Sequence, residues 1–377
     1  MPVWSCALPS PALPTERVRR VIDGIWATML ANPRHAGPRM AEGLRAARTL
    51  GSKERPVAGD VLSGLMRHHR ALLRIAEAPE LADARARLDW CADPVLRAWY
   101  LLCEVGVPGL PDPADPVDAY AIAVSMPVDI AREWWERLGP ERAVAHARTI
   151  AGRAPMTLRV LREGFTLSVP FRRVGERALV LEGRLNLDIE PAFVEGHVEV
   201  QDLGSQGIVD AAWAGLGPGA RVLDMCAGAG GKSLSLAALG ATVQAWDVRQ
   251  DALRALAERA RRAGLPIRIA PPEGSYDLVL VDAPCSGTGV LRRHPENRWR
   301  MEFPMEIQRD LLGRAARMAP AVVYATCSLL QRENDALVRS VAEPVAERTI
   351  WPEDGGAEGF YWARVGSGVA GRGTVRG

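Results

Sequence analysis

Two apolar stretches of this sequence each run into a cysteine. "YDLVLVDAPCSGTG" closes on Asp282-Ala283-Pro284-Cys285, and "VVYATCSLLQREN" on Thr326-Cys327-Ser328. A serine follows the cysteine both times. Structural cysteines usually sit inside a strand or helix as small hydrophobes. Two at the exits of neighbouring strands read instead as reactive thiols. Such a thiol can add to an electron-poor carbon. Carbon 5 of a cytosine is too weak a nucleophile to take a methyl group unaided. A thiolate adding to carbon 6 makes carbon 5 an enamine carbon that can. Asp282 is placed as the acid near the ring nitrogen. The carbon 5 proton must then leave and the thiol be expelled, a step that a second thiol can assist.

A methyl donor needs a site of its own, and "DMCAGAGGKS" (224–233) has the composition for one. Gly228, Gly230 and Gly231 allow a tight turn and a close approach to a ligand at a helix N-terminus. The loop is not a phosphate loop, because GxxxxGK[ST] would need glycine where Cys226 stands. It also lacks the GxGxxG frame. Asp247 lies about twenty residues beyond the glycines, where an acid commonly holds ribose hydroxyls. A nucleoside cofactor without a pyrophosphate fits this pattern, and S-adenosylmethionine is one. The alternative is a plain turn and a satisfied loop acid. Almost all of the 47 basic residues are arginine, and lysine stands only at Lys53 and Lys232. A lone lysine in this loop marks a place for a compact ammonium.

These residues need elements to hold them. Residues 15 to 152 show helical spacing, with Val18, Ile22, Ile25 and Leu30 on one face. His68-His69 and Trp134-Trp135 read as surface or packing residues, and "PGLPDPADP" as a linker or tight loop. From Pro155 short β-rich pieces separated by Gly and Pro follow. From Gly204 strands alternate with helices, the pattern of a parallel doubly wound sheet. In such sheets ligands sit beyond the strands' carboxyl ends. A 3-2-1-4-5 order makes the fourth and fifth strands neighbours, so Cys285 and Cys327 face one crevice. The expected division is a helical domain over 1–152, an α+β subdomain over 153–203, an α/β domain over 204–366 and a disordered tail over 367–377.

The net charge is +2, which excludes a uniformly basic nucleic-acid binder and leaves a local patch. "LRRHPENRWR", with Arg292, Arg293, Arg298 and Arg300, follows the Cys285 loop and is expected to rim the crevice where RNA phosphates pass. A solvated charged face is the alternative. The six cysteines show no CxxC pair and no metal spacing, so no metal is expected and the thiols read as reduced and cytoplasmic. No apolar run is long enough to span a membrane, no signal peptide is read, and the chain is taken as a monomer.

"VLDMCAGAGGKS", "LVDAPCSGTGVLRRHPENRW" and "YATCSLLQREN" together resemble the RNA cytosine-5 methyltransferases of the bacterial RsmB and eukaryotic nucleolar Nop type. "VEVQDLGSQ" and "EGFYWARV" extend the resemblance outward, and "LGSKERPVAGDVLSGLMRHHRAL" resembles part of an antitermination-factor-like, RNA-binding helical domain. The resemblance implies a Rossmann-like methyltransferase domain after a small RNA-binding subdomain. It implies Cys327 as nucleophile, Cys285 as the residue assisting release, and Asp282 as a residue touching base or cofactor. It also implies a cofactor set of Cys226, Ala227, Gly228, Ala229, Gly230, Gly231 and Lys232 with Asp247. The implied substrate is RNA, ribosomal RNA ahead of transfer RNA. Pro-Cys alone would also suit a DNA cytosine methyltransferase; Thr-Cys at the next strand separates the two. The chain departs from the family pattern in four places. Gly228-Ala229 replace Ala-Pro, an acid is missing after the third strand, "RMAPAVVY" lacks the usual glycines, and Leu161 stands for asparagine. A catalytically weak RNA-binding or assembly protein is the competing reading, and a small-molecule methyltransferase a third.

Overall fold

The computed structural model describes residues 4–5, 8–9 and 11–366, so the tail expected over 367–377 lies outside the described residues. Two compact units form, one from the chain up to Ala154 with Val290–Met301, the other from Pro155–Gly289 with Glu302 onward.

The first unit is helical. Its first helix, Glu16–Ala31, buries Val18, Ile22, Ile25, Trp26 and Met29 along one stripe, the spacing of a 3.6-residue turn. Helices Pro94–Val105 and Pro116–Val124 start alike. Asp93 and Asp115 accept backbone N–H groups at the N-caps, and proline takes the first helical position, where no donor is missed. The span Val128–Ala151 is two helices, broken at Gly139 (φ 71°) before Pro140. His68 is buried and its imidazole is pulled down to about 3, first by burial and then by the charges of Arg298 and Arg67. His69 sets its ring edge-on against Trp299 at 5.3 Å, and Trp134 is fully buried, so both pairs contribute packing.

Val290–Met301 corrects an expectation. Arg292 does not line an open rim. It is buried, and its Nη2 donates to the Arg153 carbonyl at 2.7 Å while Arg67 Nη2 donates to the Arg292 carbonyl at 2.9 Å. Arg298 is buried as well, its Nε donating to the Val124 carbonyl at 3.0 Å and its Nη1 to the Leu291 carbonyl at 3.1 Å. Arg293 is half-buried and Arg300 exposed. Backbone carbonyls of the helical unit take the guanidinium donors that phosphates were expected to take.

The second unit holds two sheets. The smaller is antiparallel, with β1 (Thr157–Val160), β2 (Phe171–Arg173), β3 (Ala178–Leu181) and β4 (Val198–Val200) in the order β2-β3-β1-β4. The larger contains β5 (Arg221–Asp224), β6 (Thr242–Ala245), β7 (Ile267–Ile269), β8 (Leu278–Asp282), β9 (Ala321–Thr326), β10 (Pro344–Ile350) and β11 (Phe360–Gly366). Its order is β10-β11-β9-β8-β5-β6-β7. Strands β5 to β9 are parallel in the expected 3-2-1-4-5 order. The sheet is nevertheless mixed, because β11 lies antiparallel to β9 and β10 antiparallel to β11. β9 is buried throughout, as a central strand covered on both faces must be. β10, "PVAERTI", was not expected. It is an exposed edge carrying Glu347 and Arg348, charges that discourage further strand addition and hide its pattern. Among the described residues no helix is long and apolar enough to cross a membrane.

Arg298→Ala should destabilise the helical unit by about 2–4 kcal/mol, since it strands two buried carbonyls. Urea denaturation measures this, and a loss below about 0.5 kcal/mol would mean the bonds are dispensable.

Candidate active site

Parallel pairing brings the exits of β5, β8 and β9 to one edge. Asp224 lies opposite Leu280 on β8, and Asp282 opposite Ala325 on β9. Beyond Asp282 the chain turns through Pro284 to Cys285; beyond Thr326 it reaches Cys327. The two sulfurs stand 3.4 Å apart. The Cys285 thiol is pushed well above its ordinary value, first by the hydrogen bond with Cys327, then by burial and by the charges of Cys327 and Glu333. The two loops are sewn together by backbone. Gly289 N–H donates to the Cys327 carbonyl, and Gly359 N–H to the Gly289 carbonyl, each at 2.8 Å. A Cβ on Gly289 would lie 2.1 Å from the Gly359 oxygen, so this crossing admits only glycine. Thr326 Oγ1 donates to Asn334 Oδ1 at 2.6 Å, and Asn334 Nδ2 donates to the Ser328 carbonyl at 2.9 Å.

Lys232 opens helix Gly231–Ala238 and is 8% exposed. Its Nζ lies 2.6 Å from Asp282 Oδ2. Burial alone would lower this ammonium. The charge and hydrogen bond of Asp282, helped by the charges of Asp224 and Cys327, outweigh burial and hold it above its ordinary value. Asp224 is 1% exposed; Ser233 Oγ donates to its Oδ2 at 2.6 Å, and its Oδ1 has no partner among the described residues. Burial pushes its carboxyl up to about 6. Burial also raises the Cys226 thiol, with the Asp224 charge second.

Asp247 sits just past β6 with both oxygens engaged. Oδ2 accepts the Gly228 N–H at 2.8 Å, and Oδ1 accepts the Arg249 N–H at 2.9 Å and its Nε at 3.0 Å. Burial alone would raise this carboxyl; the Arg249 and Gly228 bonds outweigh it and hold it below the ordinary range. Arg249 is absent from the residues expected here, because a charged residue two places after an acid carries no periodic signal. Gly230 is left-handed (φ 84°), and a Cβ there would lie 2.6 Å from Leu256, so the glycine lets the loop close onto helix Gln250–Ala263. Ala227 packs in an apolar cluster with Leu161, Leu234 and Leu256. Cys226 is half-buried, and Ala229 gives its carbonyl to Arg259 Nη1 at 2.6 Å. Glu273 does not stand in for the acid missing after β7: it pairs with Arg268 on that strand and is exposed.

A glycine cradle at a helix start, an acid at the next strand's exit and two thiols at the following exits gather at one edge of the sheet. Residues 213–346 match the family model described as 16S rRNA methyltransferase RsmB/F. Over these residues the chain is similar to the RsmB/F methyltransferases. S-adenosylmethionine is the methyl donor of RsmB/F-type domains, and the cradle, Asp247 and the partnerless Asp224 oxygen fit it here. Curated relatives named ribosomal RNA small subunit methyltransferase B are 31% identical. The match to the Escherichia coli O17:K52:H18 protein spans 215 residues, 51% of this chain and 50% of the relative. The match to the Erwinia tasmaniensis protein spans 228 residues, 50% of this chain and 51% of the relative. The chain thus spans about half the length of these curated relatives. Among solved structures, that of PH0851 superposes with a TM-score of 0.69 at 20% identity, over 95% of this chain and 100% of that one. A methyltransferase homolog protein from Pyrococcus horikoshii gives 0.55 at 21% identity, over 68% and 100%. These likenesses support the fold.

The raised Asp224 carboxyl makes a signed prediction. A folded-state value near 6 against 3.8 unfolded gives stability that is complete below pH 3.8 and lost as pH rises through 6. Asp224→Asn removes that loss. Relative to wild type it should gain up to about 3 kcal/mol between pH 4 and pH 8 in urea unfolding. A pH-independent difference between the two proteins would show that Asp224 ionises normally.

Proposed function

We propose that this chain methylates carbon 5 of a cytosine in RNA, ribosomal RNA ahead of transfer RNA. The observation that carries the reading is the 3.4 Å contact between Cys285 and Cys327 at the exits of neighbouring strands, beside the Lys232–Asp282 pair. The family match supports methyl transfer, and the names of the curated relatives support an RNA substrate.

S-adenosylmethionine, when bound, supplies an electrophilic sulfonium methyl. Cys226 to Lys232 would hold it, and the Asp247 carboxylate, bound by Arg249, would accept from its ribose hydroxyls. Cys327 adds to carbon 6 as the thiolate. The ring nitrogen takes a proton through the Lys232–Asp282 pair, so that negative charge does not build up on the base. Carbon 5 is then nucleophilic and accepts the methyl. For release the carbon 5 proton goes to a base, the carbon–sulfur bond to Cys327 breaks with its electrons returning to the sulfur, and the ring nitrogen gives its proton back to the Lys232–Asp282 pair, which restores the ring. Cys285 is the group beside Cys327 able to serve that step. Arg292, spent on Arg153, drops out of the proposed RNA contact, and Arg293 remains in it.

Three measurements test this. Asp247→Ala should weaken S-adenosylmethionine binding at least about tenfold by calorimetry, from lost charged hydrogen bonds worth roughly 1.5–3 kcal/mol. Unchanged binding would remove Asp247 from the cofactor set. Cys327→Ala should transfer no tritiated methyl to RNA and form no covalent complex. Cys285→Ala should accumulate a ribonuclease-sensitive protein–RNA adduct on denaturing gels, and the double variant should lose it. Trapping that persists in Cys327→Ala and depends on Cys285 would reverse the roles. Full activity in both single variants would make the cysteines structural and leave an RNA-binding protein.

A further inference from the structure

The serine after each cysteine has a shared partner. Ser286 Oγ and Ser328 Oγ both donate to Glu333 Oε2 at 2.5 Å. Oε1 accepts the Ser286 N–H at 2.9 Å and Gln308 Nε2 at 3.1 Å. Gln308 also donates to the Pro284 carbonyl at 2.8 Å, and Tyr324 Oη donates to the Glu333 carbonyl at 2.8 Å. Glu333 and Gln308 are both fully buried. One carboxylate therefore joins the residue after Cys285, the residue after Cys327 and helix Met305–Ala315. A buried carboxylate is tolerated only with such a set of donors. No step of the proposed reaction uses it.

We propose that Glu333 is the positioning residue of the two-cysteine site: it locks both loops at the sulfur–sulfur contact and decides which of the two sulfurs is the nucleophile. The inference rests on the reading of Cys327 as nucleophile.

Two sulfurs this close do not both carry charge, so the surroundings must choose between them. Facing Cys285 are Cys327 from the neighbouring loop, Glu333 and the phenol of Tyr324, opposed by the Gly287 N–H. Facing Cys327 is the Lys232 ammonium, itself bound to Asp282. The Glu333 charge thus acts on Cys285, while the Lys232 ammonium interacts with Cys327. The raised Cys285 thiol, with Cys327 and Glu333 among its causes, agrees with that arrangement.

The test reads the thiols without RNA or cofactor. Full-length protein is treated with limiting iodoacetamide from pH 6 to pH 9, and peptide mass spectrometry gives the modification rate at each cysteine. In wild type the Cys285 rate should rise at least about one pH unit above that of Cys327, since thiolate reacts and thiol does not. Cys285 ionising first overturns the proposal, whatever the variants do. Glu333→Gln keeps the shape and removes the charge. Its Cys285-to-Cys327 ratio should rise about tenfold, the effect of one pKa unit. An unchanged ratio in the folded variant overturns the proposal. Glu333→Asp keeps the charge and should stay within about twofold of wild type, and a rise equal to that of the Gln variant overturns the charge assignment. Wild-type protein with this thiol order that methylates no RNA would sink the proposed function and leave this inference standing. Methylation with an unmoved ratio in Glu333→Gln would do the reverse.

Discussion

A single register governs the site. Asp282 on β8 lies opposite Ala325 on β9 in parallel pairing, and each cysteine follows within three residues of that pair. A slip of one residue would turn alternate side chains to the opposite face and separate the sulfurs. The register is held from both ends. Inside the sheet, β8 and β9 are buried and cannot trade faces. Outside it, Gly289 and Gly359 bring three chain segments so close that no side chain fits between them. The reactive groups stand on short loops, but their positions come from the sheet.

The same edge gathers three aspartates, and each is accommodated differently. Asp247 keeps its charge because backbone and guanidinium donors surround it. Asp282 is paired with a buried ammonium, an arrangement in which removing either partner leaves an uncompensated charge. Asp224, with one hydroxyl donor, holds its proton longer. Burial and local donors therefore give Asp224 and Asp247 different proton affinities at one edge, which a site that moves protons between a base and its surroundings requires.

Much of this was legible in the chain itself. Strand-end cysteines, the glycine loop, the isolated Lys232 and the strand order are local patterns, and local patterns survive folding. Residues whose meaning depends on distant partners were not legible. Glu333 reads as one more charge in "LLQREN" until two strand exits converge on it. Arg249 acquires its role only when Asp247 turns back toward the glycine loop. β10 was hidden because an edge strand need not alternate. Arg292 and Arg298 misled for the opposite reason: an arginine-rich turn resembles a phosphate contact, and here its guanidiniums answer buried carbonyls.

The chain passes between its two units at 154/155, 289/290 and 301/302. The helical unit is synthesised first, yet Leu291, Arg292, Arg298 and Trp299 belong to it and leave the ribosome more than a hundred residues later. Vectorial folding cannot finish that unit before most of the methyltransferase sheet exists. Neither unit can be excised by one proteolytic cut. An excision of residues up to Ala154 would leave part of the helical unit behind, because Val290–Met301 follows Cys285 in the chain.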